Sequence, residues 1–154
     1  MLNDNGYKVI IITNQPGVAR GKFTEETLIH INKYIEEALA EKGARIDETY
    51  YCPHHPEGII KEYTRNCDCR KPKPGMILSA ARDFNIDLKD SFVIGDRDID
   101  VEAGKRAGCK TILLASEDPP GNTKEPVAIA DHVAPDLCEA VKWLLEFGHR
   151  ERTA

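Results

Sequence analysis

Three cysteines and a histidine stand in two tight pairs, Cys52-Pro-His54 and Cys67-Asp-Cys69, with twelve residues between His54 and Cys67. Thiolate sulfur and imidazole nitrogen are the donors that tetrahedral zinc takes, and a site filled by four protein ligands is structural rather than catalytic. The spacing therefore predicts that residues 52–69 close into a zinc-held loop, against the plainer reading of free cysteines beside a surface histidine. His55 is the substitute imidazole, set second because the spacing of Cys52 and His54 mirrors that of Cys67 and Cys69. The full set of five cysteines is odd in number and no export signal accompanies it, which argues against a disulfide framework. Directly after the second pair come Arg70, Lys71 and Lys73. A backbone fixed at Cys69 would hold these cations as an anion clamp, and such a clamp suits phosphate.

Around this loop, apolar runs and chain breakers alternate. Leu2 to Gly6 reads as the end of a helix, with Gly6 as its left-handed stop. Tyr7 to Thr13 is a β-branched run without polar alternation, as expected of a strand buried on both faces of a parallel sheet. Thr24 is placed to cap a helix whose apolar positions Leu28, Ile31, Ile35, Ala38 and Leu39 recur at helical spacing up to Gly43. A second strand covers Glu48 to Tyr51. Pro74 and Gly75 open a helix with Met76, Ile77, Ala80, Ala81 and Phe84 as its stripe. Phe92 to Gly95 is a strand, Ile99 to Ala107 a helix stopped by Gly108, and Lys110 to Leu114 a strand. After a Pro- and Gly-rich stretch with a turn at Asp118 to Asn122, His132 and Val133 make a marginal strand. Leu137 to Phe147 closes as a helix with Trp143 and Leu144 inward. This alternation predicts an α/β fold with a mostly parallel sheet. At 154 residues the chain is long enough for one core and too short for two, so a single domain is expected.

A net charge of −5 excludes a general nucleic-acid binder, which gathers basic residues along its surface. The longest apolar runs, such as Val9 to Ile12, are far shorter than a membrane span. The expectation is a cytoplasmic monomer that binds neither nucleic acid nor membrane.

Two further stretches could carry chemistry. In open parallel sheets, ligands bind beyond the carboxyl ends of the strands, where Asp96, with Asp100 behind it, would follow Phe92 to Gly95. Oxygen ligands of this kind suit magnesium; helix capping by aspartate is the equal alternative, and Asp98 is expected to be solvated. Thr13, Asn14 and Gln15 would lie at the same edge, where hydroxyl, amide and backbone N–H groups could cradle a phosphate or simply form a turn. Arg20 and Lys22 would add positive charge there or face water.

The Thr13 hydroxyl, the lysine after the cysteine loop and the Gly95-Asp96 turn together resemble three motifs of the haloacid dehalogenase-like phosphatases. Thr13-Asn-Gln-Pro-Gly-Val-Ala-Arg-Gly21, Cys52-Pro-His-His-Pro56 and Cys67-Asp-Cys-Arg-Lys-Pro-Lys-Pro-Gly-Met76 are similar to the heptose bisphosphate phosphatase group of that superfamily, to which histidinol-phosphate phosphatases with the same zinc pattern are related. The long segment between His54 and Cys67 favours the heptose group. The resemblance implies a three-layer Rossmann-like fold and hydrolysis of a sugar phosphate through a phospho-aspartate, on a phosphorylated small-molecule substrate. It further implies that Thr13 and Asn14 hold the transferring phosphoryl group, Lys71 neutralises it, and Asp96 binds magnesium. Arg70 and Arg97 would face substrate, as Gln15 and Arg20 would from their own place at the end of the first strand, and Cys52, His54, Cys67 and Cys69 would hold zinc.

Family members begin with a strand ending in Asp-x-Asp-Gly-Thr, whose first aspartate attacks phosphorus, and no such segment occurs in these 154 residues. Asp4 precedes the first strand and so would lie at the opposite edge. The expectations are an N-terminally truncated domain, inactive by itself, and a sheet that lacks its central first strand. The edges so exposed would stay open, close on each other or take an exchanged strand.

Overall fold

The structure, a computed structural model, describes residues 1–115 and 129–152, with side chains up to residue 148. The turn expected at Asp118 to Asn122 lies outside these residues. The chain divides into two compact units, Leu2–Arg70 and Lys71–Ala154 with Met1.

In the first unit, Asn3–Asn5 is a short 3-10 turn rather than the end of a helix, and Gly6 ends it at φ 78°, the left-handed conformation expected of this glycine. Strand β1 (Ile10–Asn14) pairs parallel with β2 (Glu48–Cys52), running from Ile10 opposite Glu48 to Asn14 opposite Cys52. The strand begins three residues later than its apolar run because an aspartate takes the place of a ladder partner. Val9 N–H donates to Asp47 Oδ2 at 2.8 Å, and Asp47 N–H returns a bond to Val9 O at 2.8 Å. Helix α1 (Glu25–Ala40) makes the crossover, and its N-cap Thr24 accepts the Thr27 N–H at 3.1 Å.

Two expectations fail here for one reason. Ile10, Ile11 and Ile12 are half-buried rather than enclosed on both faces. On α1 only Leu28 of the apolar stripe is fully buried, while Ile31 and Ile35 remain 45% and 40% exposed. Two strands about 5 Å apart form too narrow a sheet to cover a whole helical stripe.

The second unit contains α2 (Gly75–Phe84), β3 (Phe92–Gly95), α3 (Asp98–Ala107), β4 (Lys110–Leu114), β5 (His132–Ala134) and α4 (Leu137–Arg152). Its strands are all parallel, in the order β3-β4-β5. Met76, Ile77 and Ala80 bury the face of α2 that their spacing predicted, and α3 ends at Gly108 as expected. Close packing of α3 on the sheet depends on Gly104, where a Cβ would come within 2.6 Å of Thr111 Cγ2 and 3.0 Å of Val93 Cβ. Leu144 of α4 is buried, and Trp143 stacks on His132 with ring centres 4.3 Å apart. Helix α4 continues past its expected end at Phe147 to Arg152.

The fold is α/β with parallel sheets, as the alternation of elements predicted. Among the described residues β1 pairs with β2 alone and β3 with β4 alone. Among the described residues no helix is long and apolar enough to cross a membrane.

Candidate functional site

Strand β2 ends at Cys52, and the chain then folds back so that one ligand atom each of Cys52, His54, Cys67 and Cys69 lies within 4.8 Å of the others. The three sulfurs are 3.1–3.5 Å apart, and His54 Nδ1 stands 3.4 Å from Cys69 Sγ and 3.7 Å from Cys52 Sγ. These are the four residues that the sequence paired. Burial, followed by the neighbouring Cys69 thiol, pushes the Cys52 thiol well above its ordinary range. Burial raises Cys69 too; Cys67 is lowered, because hydrogen bonds with the other two thiols outweigh its burial. Burial and then the Arg65 guanidinium lower the His54 imidazole from its ordinary value, which favours the neutral form that a metal takes. Three thiolates so close repel one another, and a cation among them would remove that cost. The cluster could hold zinc.

Backbone bonds join this cluster to the end of β1. Asn14 lies opposite Cys52 in the ladder, and Gln15 N–H donates to Cys52 O at 2.8 Å. Gln15 Nε2 donates to Thr13 Oγ1 at 3.2 Å. Farther along, Ala19 N–H donates to Pro53 O at 3.3 Å, and Ala19 O accepts from Ile59 and Ile60 at 2.8 and 3.0 Å. Tyr63 O–H donates to Glu25 Oε2 at 2.7 Å, anchoring the loop to α1. Thr13, Asn14 and Gln15 are thus gathered at the carboxyl ends of β1 and β2, beside the metal-ligand set. Arg70 reaches back to donate to His54 O at 3.3 Å, and Arg20 Nη2 lies 3.1 Å from His55 Nε2. His55 stays outside the four-ligand cluster.

In the second unit, Asp96 follows the last residue of β3 and is exposed, as is Arg97 beside it. Asp98 is half-buried in the first turn of α3 rather than fully solvated. Asp100 turns inward: its Oδ2 accepts the Arg97 N–H at 3.1 Å, and its Oδ1 faces Lys71 Nζ at 2.6 Å. The helix-capping alternative therefore holds for Asp100. Sequence reasoning missed its pairing with Lys71, although an acidic residue one turn beyond Asp96, at the start of a helix, was the available signal. The partnership of Arg20 with His55 had no comparable signal, since thirty-five residues separate them.

The family described as HAD-hydrolase-like matches residues 68–140. A D-glycero-beta-D-manno-heptose-1,7-bisphosphate 7-phosphatase of Pasteurella multocida is 45% identical over 142 residues, spanning 90% of this chain and 76% of that protein. A D-glycero-alpha-D-manno-heptose-1,7-bisphosphate 7-phosphatase of Photorhabdus laumondii is 42% identical over 125 residues, spanning 81% of this chain and 67% of that one. The crystal structure of D,D-heptose 1,7-bisphosphate phosphatase from B. bronchiseptica, complexed with magnesium and phosphate, matches with a TM-score of 0.77 at 32% identity, over 95% of this chain and 78% of that one.

Proposed function

Since the chain belongs to the haloacid dehalogenase-like phosphatases, we propose that it binds a D-glycero-D-manno-heptose 1,7-bisphosphate and serves the hydrolysis of its C7 phosphate. The observation that carries this reading is the bond from Gln15 N–H to Cys52 O, with Asn14 opposite Cys52, because it fixes the Thr13–Gln15 strand end to the metal-ligand set. A phosphate-binding turn built this way is set before the ligand arrives, so little ordering cost falls on binding.

Thr13 Oγ1 and the Asn14 amide donate to the phosphoryl oxygens, with Gln15 steadying the Thr13 hydroxyl. Lys71, held by Asp100, supplies a fixed positive charge of the kind that neutralises a phosphoryl group. Asp96 is the magnesium ligand; an exposed carboxylate at a strand end suits an ion that keeps several waters and shares its remaining positions with phosphate. Magnesium, when bound, offsets negative charge on the phosphoryl oxygens. Arg97, Arg20 and Arg70 meet the rest of the substrate. Cys52, His54, Cys67 and Cys69 hold zinc, which stiffens the loop and takes no part in the chemistry.

In this family an aspartate attacks phosphorus, and water then hydrolyses the phospho-aspartate, dividing one hard displacement into two. These 154 residues contain no Asp-x-Asp-Gly-Thr segment to supply that aspartate, so the polypeptide by itself binds without turnover. The test is to join the Asp-x-Asp strand of a heptose bisphosphate phosphatase ahead of Met1 and assay phosphate release. The expected result is release from heptose bisphosphate by the fusion, none by the 154-residue polypeptide, and loss of the fusion's activity in Asp96→Asn. Faster release from histidinol phosphate would replace the substrate named here, and turnover by the unfused polypeptide would refute the account of the nucleophile.

A further inference from the structure

An arginine N–H and an imidazole nitrogen face each other beside the metal-ligand loop. His55 Nδ1 accepts the backbone N–H of Glu57 at 3.1 Å, while His55 Nε2 lies 3.1 Å from Arg20 Nη2. A neutral imidazole carries one N–H, so its two nitrogens cannot both accept. The backbone bond decides which one does. Residues 55–58 form a turn closed by Gly58 N–H to His55 O at 3.2 Å, and His55 N–H is itself held by Tyr63 O at 3.1 Å. An amide in that turn cannot swing away, whereas Arg20 is an exposed side chain free to reorient. Nδ1 is therefore the acceptor, and the proton sits on Nε2. Nε2–H then points at a guanidinium that has no lone pair to offer.

An oxygen with spare lone pairs, accepting from both groups, would resolve this conflict. The surroundings favour an anionic one. Neither Arg20 nor Arg70 has a carboxylate partner among the described residues: Arg20 is directed at His55, and Arg70 at the His54 carbonyl. Arg45, Arg82 and Arg106, by contrast, each meet an acidic side chain.

We propose that His55, donating through Nε2–H, is a substrate-binding residue that forms with Arg20 a two-donor fork for a phosphate oxygen. This inference rests on the phosphorylated-substrate reading above and adds a contact to it. The fork needs a residue whose far end both donates and is fixed by the backbone. Histidine at this position meets that need, with Nδ1 tied to the turn and Nε2 free to bind.

The test uses the zinc-loaded 154-residue polypeptide with nitrogen-15-labelled histidine, at neutral pH, and inorganic phosphate as the probe. Long-range nitrogen spectra should show His55 as the Nε2–H tautomer, with a Nε2 resonance that moves saturably on adding phosphate and not on adding chloride at equal ionic strength. Arg20→Met should raise the phosphate concentration needed for half the shift roughly tenfold or more, the usual loss for one hydrogen bond to a charged group. An Nδ1–H tautomer, or an unmoved His55 while phosphorus-31 line broadening reports saturable binding, overturns the fork and leaves the phosphate reading standing. Absence of phosphate binding by both readouts overturns the two together.

Discussion

Lys71 Nζ stands 2.6 Å from Asp100 Oδ1, and the two side chains are only 11% and 7% exposed. Asp100 Oδ1 has no other hydrogen-bond partner among the described residues. Removing one member of a buried pair takes the main counter-charge from the other in a poor dielectric, at a cost of up to about 3–5 kcal/mol. Asp100→Ala should therefore lower the unfolding free energy by roughly that amount, read from the urea midpoint at constant slope. A loss below about 1 kcal/mol, the range of an exposed pair, would mean that Lys71 is not held as described.

Gly95 belongs to the same arrangement. A Cβ there would fall 2.3 Å from Asp100 Cβ and 2.6 Å from its Cγ, so the aspartate must move. Gly95→Ala should destabilise by about 1–3 kcal/mol through overpacking and weaken the hold on Lys71 at the same time. Adding Gly95→Ala to Asp100→Ala should then cost less than the sum of the two single changes, since the contacts with Cγ and Oδ2 and the hold on Lys71 are already gone, although the 2.3 Å approach to the Cβ, which alanine keeps, remains. Additive losses in the double variant would count against this packing.

Metal analysis of protein purified without chelator should find about one zinc per polypeptide, the number that one four-ligand site takes. Cys69→Ser should lose the metal and His55→Phe should keep it, because His55 lies outside the cluster. Since binding energy of a structural metal is folding energy, chelation should lower the thermal midpoint of the unit Leu2–Arg70. Zinc retained at full stoichiometry in Cys69→Ser would break the ligand assignment.

Asp131 links α3 to β4. Its Oδ1 takes the Lys105 ammonium at 2.5 Å, and its Oδ2 accepts the Thr111 N–H and O–H at 2.7 and 2.9 Å. Burial alone would raise this carboxyl, but Lys105 and both Thr111 donors outweigh it and leave the group below its ordinary range. A folded-state value below the unfolded one gives stability that is present above the unfolded value, about pH 3.9, and is lost as pH falls through the folded value. The melting temperatures of wild type and Asp131→Asn should differ most near neutrality and converge below about pH 4. A constant gap down to pH 2.5 would place the carboxylate's contribution elsewhere.

Much of the site could be read from the chain because it depends on local order. Cys52, His54, Cys67 and Cys69 form a metal pattern by spacing alone, and the ends of β1 and β3 follow from where β-branched runs stop. What stayed hidden depends on partners distant in sequence. Asp100 was readable as a magnesium-side acid or a helix cap, but that its other oxygen pairs with Lys71, twenty-nine positions earlier, was not. Val9 has the side chain of a strand residue, yet Asp47 takes over its ladder bond. The exposure of Ile31 and Ile35 follows from how many strands lie beneath α1, which helical periodicity does not encode.

Calorimetric titration of the folded, zinc-loaded polypeptide with D-glycero-D-manno-heptose 1,7-bisphosphate in the presence of magnesium is the most direct test of the account. Saturable one-to-one binding, weakened roughly tenfold by Thr13→Val through loss of a hydrogen bond to a charged group, is the predicted result. No saturable heat, or equal affinity in Thr13→Val, would contradict it.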